Sequence, residues 1–289
     1  MDRTLHELVR EGLGNLRASG MRMLPVDESA RSVLRGWMRR PGESTAKESA
    51  VPPRITNEEA SGASTQDAEP DRSATAPAPT LETVEEKLDF LRRKAENWQP
   101  ARRLGTLRDT MVFATGNPRA ELMLVGEAPG YDEERLREPF VGKAGQKLNQ
   151  ILAAMGLDRG AIYISNICKF RPSMPNQGTG NRPPTDEEIA SCLPLILAEI
   201  RAIGPKCIVC LGGTAAKGLL GAVGSVSSMR GAFHEVQGIP ARVTYHPSYL
   251  LRNDTPAAKR AVWEDMLAVM DRMGMPVSDR QRRFFLPNT

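Results

Sequence analysis

The chain has 289 residues, of which 40% are hydrophobic and 5% aromatic, and its formal net charge is +4. This length accommodates one large domain or two small ones, and the mild basic excess suits a polyanionic partner without requiring one. No apolar run is long enough to span a membrane, and the first residues lack the apolar stretch of a secretory signal. We therefore expect a cytoplasmic protein that does not associate with membranes.

Composition separates the two ends of the chain from its middle. Residues 1–44 show the apolar spacing of helices, which predicts an N-terminal helical segment. Residues 45–79 contain only Val51 and Ile55 as large aliphatic residues and no aromatic residue, so this segment cannot bury enough apolar surface to fold. We predict a disordered linker there, and a short C-terminal tail over residues 276–289.

Between these segments, residues 80–275 alternate between strand and helix patterns. The predicted strands are 121–126, 161–166, 207–211 and 241–245. The predicted helices are 81–98, 145–155, 185–203, 214–220 and 256–273, the third of them with a capping box formed by Thr185 and Glu188. Such alternation predicts an α/β domain of three layers, α/β/α, around a central, mostly parallel four-stranded sheet. Sheets of this kind bind ligands at the carboxyl ends of their strands.

The four cysteines are Cys168, Cys192, Cys207 and Cys210, and in a cytoplasmic protein we expect no disulfide among them. Cys207 and Cys210 form a CxxC pair, a spacing that can indicate a metal or redox site. Here the pair lies in a short apolar run that is typical of a buried strand, where positions three apart point to opposite faces. We favour core packing over metal binding.

Five motifs stand at or near the ends of the predicted strands, and each alone is weak. They are Gly126–Gly130, Pro139–Gly145, Ser165-Asn166, Asn181–Thr185 and His246–Arg252. Together and in this order they resemble the uracil-DNA glycosylase superfamily, most closely its family 4, over about residues 110–273. The resemblance implies a DNA repair enzyme that flips uracil out of DNA and hydrolyses its N-glycosidic bond, leaving an abasic site for base excision repair. The alternatives are excision of another damaged base by the same pocket, and a non-catalytic DNA-binding relative.

The resemblance also implies how the substrate is held. Phe140 corresponds to the phenylalanine that stacks on flipped uracil, and Asn166 to the asparagine that reads its amide edge. A side-chain amide offers a donor for O4 and an acceptor for N3–H, whereas cytosine presents the opposite pattern. Ala128 and Gly130 complete the predicted substrate-binding set. The alternative for Asn166 is a purely structural cap at the strand end.

Three residues are catalytic candidates on the same grounds. His246 corresponds to the histidine that donates a hydrogen bond to uracil O2 as negative charge develops there. Glu127 and Glu133 are the candidates for placing the attacking water and stabilising the cationic sugar. Glu127 is preferred, because Ala128 stands where the better-known branch of the superfamily has an aspartate. The alternatives are a structural histidine at position 246 and a solvated surface charge at position 133.

DNA contacts are expected from the loop His246–Arg252. The predicted DNA-binding residues are Ser248, Tyr249, Leu250 and Arg252, with Tyr249 or Leu250 as a wedge in the gap left by the flipped base. Lys169, Arg171 and Arg230 are further candidates for phosphate contacts. The alternative is that these basic side chains only solvate the surface.

The sequence departs from family 4 in its cysteines. Members of that family hold a [4Fe–4S] cluster on four cysteines, and the corresponding positions here are Gln99, Arg102, Phe170 and Cys192. A cluster of this kind needs four thiolates. We therefore expect no cofactor and no metal, and a colourless protein. Four irons per chain in freshly purified anaerobic protein would contradict this expectation.

The C-terminal tail carries a glutamine followed by a pair of aromatic residues, Gln281, Phe284 and Phe285. This spacing resembles the short peptides that dock into DNA sliding clamps, which makes a clamp a candidate partner beside uracil-containing DNA. The alternative, which we favour, is that the two phenylalanines fold back onto the chain's own core. We expect a monomer.

Overall fold

A computed structural model describes residues 81–221 and 224–286. The predictions for residues 1–44 and 45–79 lie outside the described residues. The helices are α1 (Val84–Glu96), α2 (Gln99–Arg102), α3 (Tyr131–Leu136), α4 (Lys143–Met155), α5 (Asp186–Ile203), α6 (Gly213–Leu220), α7 (Val226–Met229), α8 (Pro247–Arg252), α9 (Pro256–Arg272) and α10 (Asp279–Arg282). The strands are β1 (Leu107–Met111), β2 (Ala114–Gly116), β3 (Leu122–Gly126), β4 (Tyr163–Asn166), β5 (Phe170–Pro172), β6 (Cys207–Leu211), β7 (Phe233–Val236) and β8 (Ile239–Thr244).

The central sheet has six strands in the order β2-β4-β3-β6-β8-β7. Its four inner strands are parallel, which confirms the predicted parallel sheet. An antiparallel strand lies at each edge, β2 beside β4 and β7 beside β8. The sequence did not predict these two edge strands, nor the small antiparallel pair of β1 with β5. Gly126 is in register with Asn166, and Leu211 with Thr244, so the four inner strands end at one edge.

Each face of the sheet packs against its own helices. One core contains buried residues of α1 and α5 with Cys210, and the other contains buried residues of α4 and α9 with Cys207. The two cysteines are fully buried and belong to opposite faces. The predicted core packing of the CxxC pair is therefore confirmed, as is the three-layer α/β/α architecture.

The longest helix in the described part of the chain, α5, begins where its capping signal predicted. The Thr185 side chain accepts a hydrogen bond from the Glu188 N–H, and the Glu188 carboxylate accepts one from the Thr185 N–H in return. Gly204, with φ of +58°, ends the helix in the left-handed conformation that glycine adopts without strain. Across the described ranges, no helix is long and apolar enough to cross a membrane.

The C-terminal segment packs against α9 and α4. The Trp263 indole N–H donates to the Gln281 carbonyl at 2.6 Å, and the Gln281 side-chain amide donates to the Ala154 carbonyl at 2.9 Å. The Phe284 ring lies 5.3 Å from the Trp263 ring. The predicted fold-back is thus confirmed for Phe284, whereas Phe285 remains 44% exposed.

Candidate active site

A cavity of about 470 Å³ opens at the edge where the inner strands end. This is within the usual size of a small-molecule site. All the predicted catalytic and substrate-binding residues line it, namely Glu127, Ala128, Gly130, Glu133, Phe140, Asn166 and His246. Ser248 and Arg252 reach it as well, whereas Tyr249 and Leu250 are not among its lining residues. The order of the strands thus brings together residues that lie more than a hundred positions apart.

Asn166 ends β4 at the floor of the cavity. The residue is 2% exposed, and its Oδ1 is buried without a hydrogen-bond partner. A Cβ atom on Gly126 would lie 2.4 Å from this oxygen and 2.5 Å from Cζ of Phe140, so only glycine lets the amide and the ring approach β3 this closely. A buried acceptor without a partner costs free energy in the absence of a ligand. The arrangement fits a ligand that presents an N–H group beside an aromatic face.

Phe140 is held by its backbone as well as by its ring. Its φ of +57° is unusual for a residue with a side chain, and a Cβ atom on Gly145 would lie 1.7 Å from its carbonyl oxygen. The Arg159 guanidinium donates to the Phe140 carbonyl at 3.0 Å and to the Pro139 carbonyl at 2.7 Å. Sequence reasoning missed Arg159, which lies between α4 and β4 and belongs to none of the motifs. Strained backbone of this kind is common where a binding site fixes a side chain.

His246 stands at the N-terminus of α8, 5.5 Å from the Phe140 ring. Its Nδ1 accepts hydrogen bonds from the Ser248 N–H at 3.2 Å and from the Ser248 hydroxyl at 2.8 Å. Burial lowers the pKa of His246 to about 4, and the nearby Arg252 charge adds to this effect. At neutral pH the ring is therefore uncharged, with its single proton on Nε2. It can donate one hydrogen bond from Nε2 into the cavity.

The two glutamates of the site differ in what they contact. The Glu133 carboxylate accepts backbone N–H bonds from Gly130 at 3.1 Å, Val141 at 3.0 Å and Gly142 at 2.9 Å. It therefore joins the loop after β3 to the loop that carries Phe140. The Glu127 carboxylate accepts a hydrogen bond from the Thr214 hydroxyl and otherwise faces the cavity. Three backbone N–H groups already bond the Glu133 carboxylate, which favours a positioning role for Glu133 and Glu127 as the residue that orients water.

Asn181 is a cavity residue to which the sequence analysis gave no role. Its side-chain oxygen accepts a hydrogen bond from Arg171 Nε at 3.0 Å, and the same guanidinium donates to the Gly178 and Gly180 carbonyls. Arg171 thereby orders the segment that leads from β5 to α5. A Cβ atom on Gly130 would lie 3.0 Å from the Asn181 amide nitrogen, so this segment closes over the mouth of the cavity.

Comparisons with known proteins agree with this geometry. The family model described as the uracil DNA glycosylase superfamily matches residues 113–267, more than half of the chain. The chain belongs to the uracil-DNA glycosylase superfamily. It is 40% identical to the type-4 uracil-DNA glycosylase of Thermotoga maritima over 161 residues, which cover 55% of this chain and 81% of that protein. It is 41% identical to the type-4 enzyme of Archaeoglobus fulgidus over 148 residues, 48% of this chain and 71% of that protein. With the type-4 enzyme of Sulfurisphaera tokodaii, the identity is 34% over 201 residues, 66% of this chain and 84% of that protein.

The burial of side chains on α8 bears on the predicted wedge, Tyr249 or Leu250, of this member of the uracil-DNA glycosylase superfamily. Leu250 is only 3% exposed because it packs against Ala258 and Val262. Tyr249 stacks on Tyr245, with ring centroids 4.3 Å apart. The apolar side chain that α8 leaves in solvent is Leu251, which is 45% exposed. Leu250 is thus too buried to act as a wedge, whereas Tyr249 is only partly buried and stays a candidate beside the exposed Leu251.

Three of the four basic residues predicted to meet phosphates are used inside the protein. Lys169 is fully buried and lies 2.5 Å from the Glu199 carboxylate, and Arg171 lies 2.9 Å from that of Glu134. Arg230 lies 2.5 Å from Asp265 and over the Tyr245 ring. All three side chains are thus paired with carboxylates of the protein, so we no longer expect phosphate contacts from them. Arg252 alone of the four is exposed and reaches the cavity mouth.

The region that corresponds to the cluster site of family 4 does not fit an iron–sulfur cluster. Arg102 on α2 lies over the Phe170 ring at 5.0 Å and also pairs with Asp109 at 2.5 Å. A guanidinium and a phenyl ring thus stand where two thiolates would be needed. The Cys192 thiol is buried beside Cys168, whose hydrogen bond lowers the pKa of Cys192. Among the described residues, no group of three or more His, Cys, Asp or Glu side chains is arranged to hold a metal ion.

Proposed function

We propose that the protein is a uracil-DNA glycosylase, which removes uracil from DNA by hydrolysing the bond between N1 of the base and C1′ of the sugar. The observation that carries the proposal is the buried, unpartnered Oδ1 of Asn166 in a cavity that also holds Phe140 and His246. The type-4 relatives, which bear this activity in their names, support the same function.

The cavity residues account for the choice of base. Uracil stacks on Phe140, its N3–H donates to Asn166 Oδ1, and its O4 accepts from the Asn166 amide nitrogen. Cytosine has an acceptor at N3 and a donor at its exocyclic amine, so both contacts would fail and leave buried polar groups unpaired. A site of this kind rejects the mismatched ligand strongly, since each unpaired group costs free energy.

Cleavage of the N1–C1′ bond leaves negative charge on uracil and positive charge on the sugar. His246 acts on the uracil, and Glu127 acts on the water that attacks the sugar. The electron pair of the N1–C1′ bond leaves with uracil, and the Nε2–H of neutral His246 donates to O2 of the developing anion. A water molecule bonds to C1′ through its oxygen. The Glu127 carboxylate orients this water, accepts its proton and passes it to solvent, and the released uracil anion takes a proton from solvent. No metal or cofactor enters any step.

DNA is gripped at the mouth of the cavity by α8. Leu251 fills the gap that the flipped nucleotide leaves, as apolar wedges do in distorted duplexes, and Arg252 and Ser248 meet the flanking backbone. Tyr249 supports this helix from beneath through its stack on Tyr245. Because Arg252 is the exposed cation here, we expect binding to weaken as salt is raised.

The deciding experiment is excision from an oligonucleotide with a single uracil, read on a denaturing gel after alkaline cleavage of abasic sites. We expect cleavage of the uracil strand and none of the same strand carrying cytosine or thymine. Strands with other damaged bases, including hypoxanthine, run in parallel. Cleavage of one of those without cleavage at uracil assigns the pocket to another base. Binding of the strands without any cleavage identifies a non-catalytic relative.

Binding to a sliding clamp is less well supported than packing of the C-terminal segment on its own domain. Gln281 and Phe284 already contact Ala154 and Trp263, so a clamp would have to displace the segment from its own domain. We propose instead that this segment stabilises the catalytic domain. The expectations of a monomer and of a cytoplasmic location form part of the proposal, and light scattering of the purified protein tests the first.

A further inference from the structure

Glu127, whose carboxylate is proposed to orient the water, is hydrogen-bonded to the helix that follows the neighbouring strand β6. Glu127 follows β3, and its Oε2 accepts a hydrogen bond from the hydroxyl of Thr214, the second residue of α6. Among the described residues, Thr214 is the side chain that bonds this carboxylate. One glutamate oxygen is thereby fixed, and the other remains free for a ligand in the cavity.

Thr214 is itself rigidly placed. The next two residues, Ala215 and Ala216, are fully buried and anchor the first turn of α6 in the core. Gly212 precedes the helix with φ of +96°, and a Cβ atom there would lie 3.1 Å from Cβ of His246. This tight turn sets the start of α6 between Glu127 and His246. A threonine on a helix has about two favoured rotamers, and the hydrogen bond to Glu127 selects one of them.

The start of a helix also suits a negative charge. The first N–H groups of α6 have no partner within the helix, and the helix dipole places partial positive charge at this end. The hydroxyl of Thr214 can act only as donor toward an ionised carboxylate. Both effects favour one fixed orientation of the Glu127 carboxylate before substrate arrives.

We propose that Thr214 is a positioning residue for hydrolysis, which fixes Glu127 so that its free oxygen orients the attacking water. This inference rests on the proposed function and extends it to a residue outside the cavity lining. Thr214 acts through Glu127 and touches neither uracil nor DNA. Its effect therefore belongs to the rate of bond cleavage and not to substrate affinity.

The test compares Thr214→Val, which keeps the shape and removes the hydroxyl, with Thr214→Ser, which keeps the hydroxyl. Excision of uracil is measured under single-turnover conditions, and affinity is measured with an oligonucleotide that carries non-cleavable 2′-fluoro-deoxyuridine. We expect T214V to lower the cleavage rate constant at least about tenfold, the usual effect of losing a hydrogen bond to a charged group. Affinity should stay within about twofold, and T214S should recover most of the rate.

A double-mutant cycle separates positioning from a general structural role. In the background of Glu127→Gln, adding T214V should change the remaining rate by less than about twofold, because both substitutions remove the same function. Thr83→Val is the matched control, since that hydroxyl accepts from the Glu86 N–H at the exposed start of α1 and neither residue lines the cavity. Melting temperatures of all variants show whether each one folds, and Thr214→Ala replaces T214V if the valine does not fit.

Several outcomes would overturn the inference. A T214V enzyme as fast as wild type, a T214S enzyme as slow as T214V, or an equal loss in the E127Q background each excludes positioning through Glu127. Wild-type protein that excises no uracil overturns the proposed function together with this inference. Wild-type protein that excises uracil while T214V matches it overturns the inference alone.

Discussion

Two regions of this domain have changed to different degrees relative to the family pattern. At the ends of the inner strands, the residues that bear the chemistry match the family motifs, and they meet in one cavity. At α2 and β5, the positions that correspond to cluster ligands hold an arginine stacked on a phenylalanine. The contrast reflects what each region has to do. Base recognition needs particular donors and acceptors at particular places, whereas holding a helix against a strand needs only enough favourable contact.

The comparison predicts that pocket substitutions abolish activity without loss of stability, and that substitutions at α2 do the reverse. The largest effect is expected for Asn166→Asp, because an ionised carboxylate cannot donate to uracil O4. Uracil excision should fall on the order of 10³-fold in single-turnover assays. Asn97→Asp, at the exposed end of α1, is the matched control and should excise normally. Normal excision by N166D would assign Asn166 to a structural role.

His246→Ala comes next, with a loss on the order of 10²-fold in excision. The reason is the loss of the Nε2–H donor to uracil O2. DNA binding should weaken by less than about tenfold, because the same side chain caps α8. His234→Ala provides the control, because His234 lies on β7 and bonds the Met229 carbonyl outside the cavity. A loss below about tenfold for H246A would remove this histidine from the mechanism.

Changes outside the cavity should have the opposite effect, lowering the melting temperature and leaving excision unchanged. Deleting residues 280–289 removes the Phe284 contact with Trp263 and two hydrogen bonds that Gln281 makes, which we expect to cost about 2 kcal/mol. For a domain of this size the melting temperature should fall by about 4–8 °C. Excision at room temperature should be unchanged. A truncated protein that melts normally but loses capture by a sliding clamp would restore the docking interpretation.

A smaller drop is expected for Arg102→Met, which removes the cation over Phe170. Because Arg102 is partly exposed, the loss should be about 1 kcal/mol, or about 2–4 °C in melting temperature. Arg103→Met, an exposed neighbour, should not change the melting temperature. If R102M loses uracil excision without a drop in melting temperature, the two regions are not independent.

The smallest effect concerns pH. Since the pKa of His246 is lowered to about 4, this ring stays neutral when the pH falls through the range where free histidine titrates. Its contribution to the excision rate should therefore be constant between about pH 6 and about pH 8. A rate that halves near the ordinary histidine pKa in wild type but not in H246A would show that His246 carries a proton in the reaction.

Sequence patterns predicted the inner sheet because its strands are continuous apolar runs, such as Leu122–Gly126 and Cys207–Leu211. They did not predict β1, in which Arg108 and Asp109 are exposed and whose partner strand lies far along the chain. Short edge strands lack a strong pattern of their own, and their pairing depends on the rest of the fold.

The site was predictable where a residue follows a strand directly, as Glu127 and Asn166 do. It was not predictable where burial depends on a distant partner. The sequence suggests that Lys169 is a surface cation, but the side chain is buried in the core and forms an ion pair with Glu199. The sequence also could not show which of Leu250 and Leu251 is exposed. That depends on the rotation of α8 about its axis, which is set by the packing of Leu250 against α9.

The Nδ1 atom of His246 has both a chemical and a structural role. The Nδ1 atom that sets the tautomer also caps α8 by accepting the Ser248 N–H, and α8 is the helix that carries Leu251 and Arg252. A proton on Nδ1 would release the start of that helix, because a protonated nitrogen cannot accept. Acidification below a pKa of about 4 should therefore loosen the hold on DNA and change the hydrogen-bonding state of the histidine in one event. The protonated ring still carries its Nε2–H, so acid should weaken the binding of DNA before it removes the hydrogen bond to uracil O2.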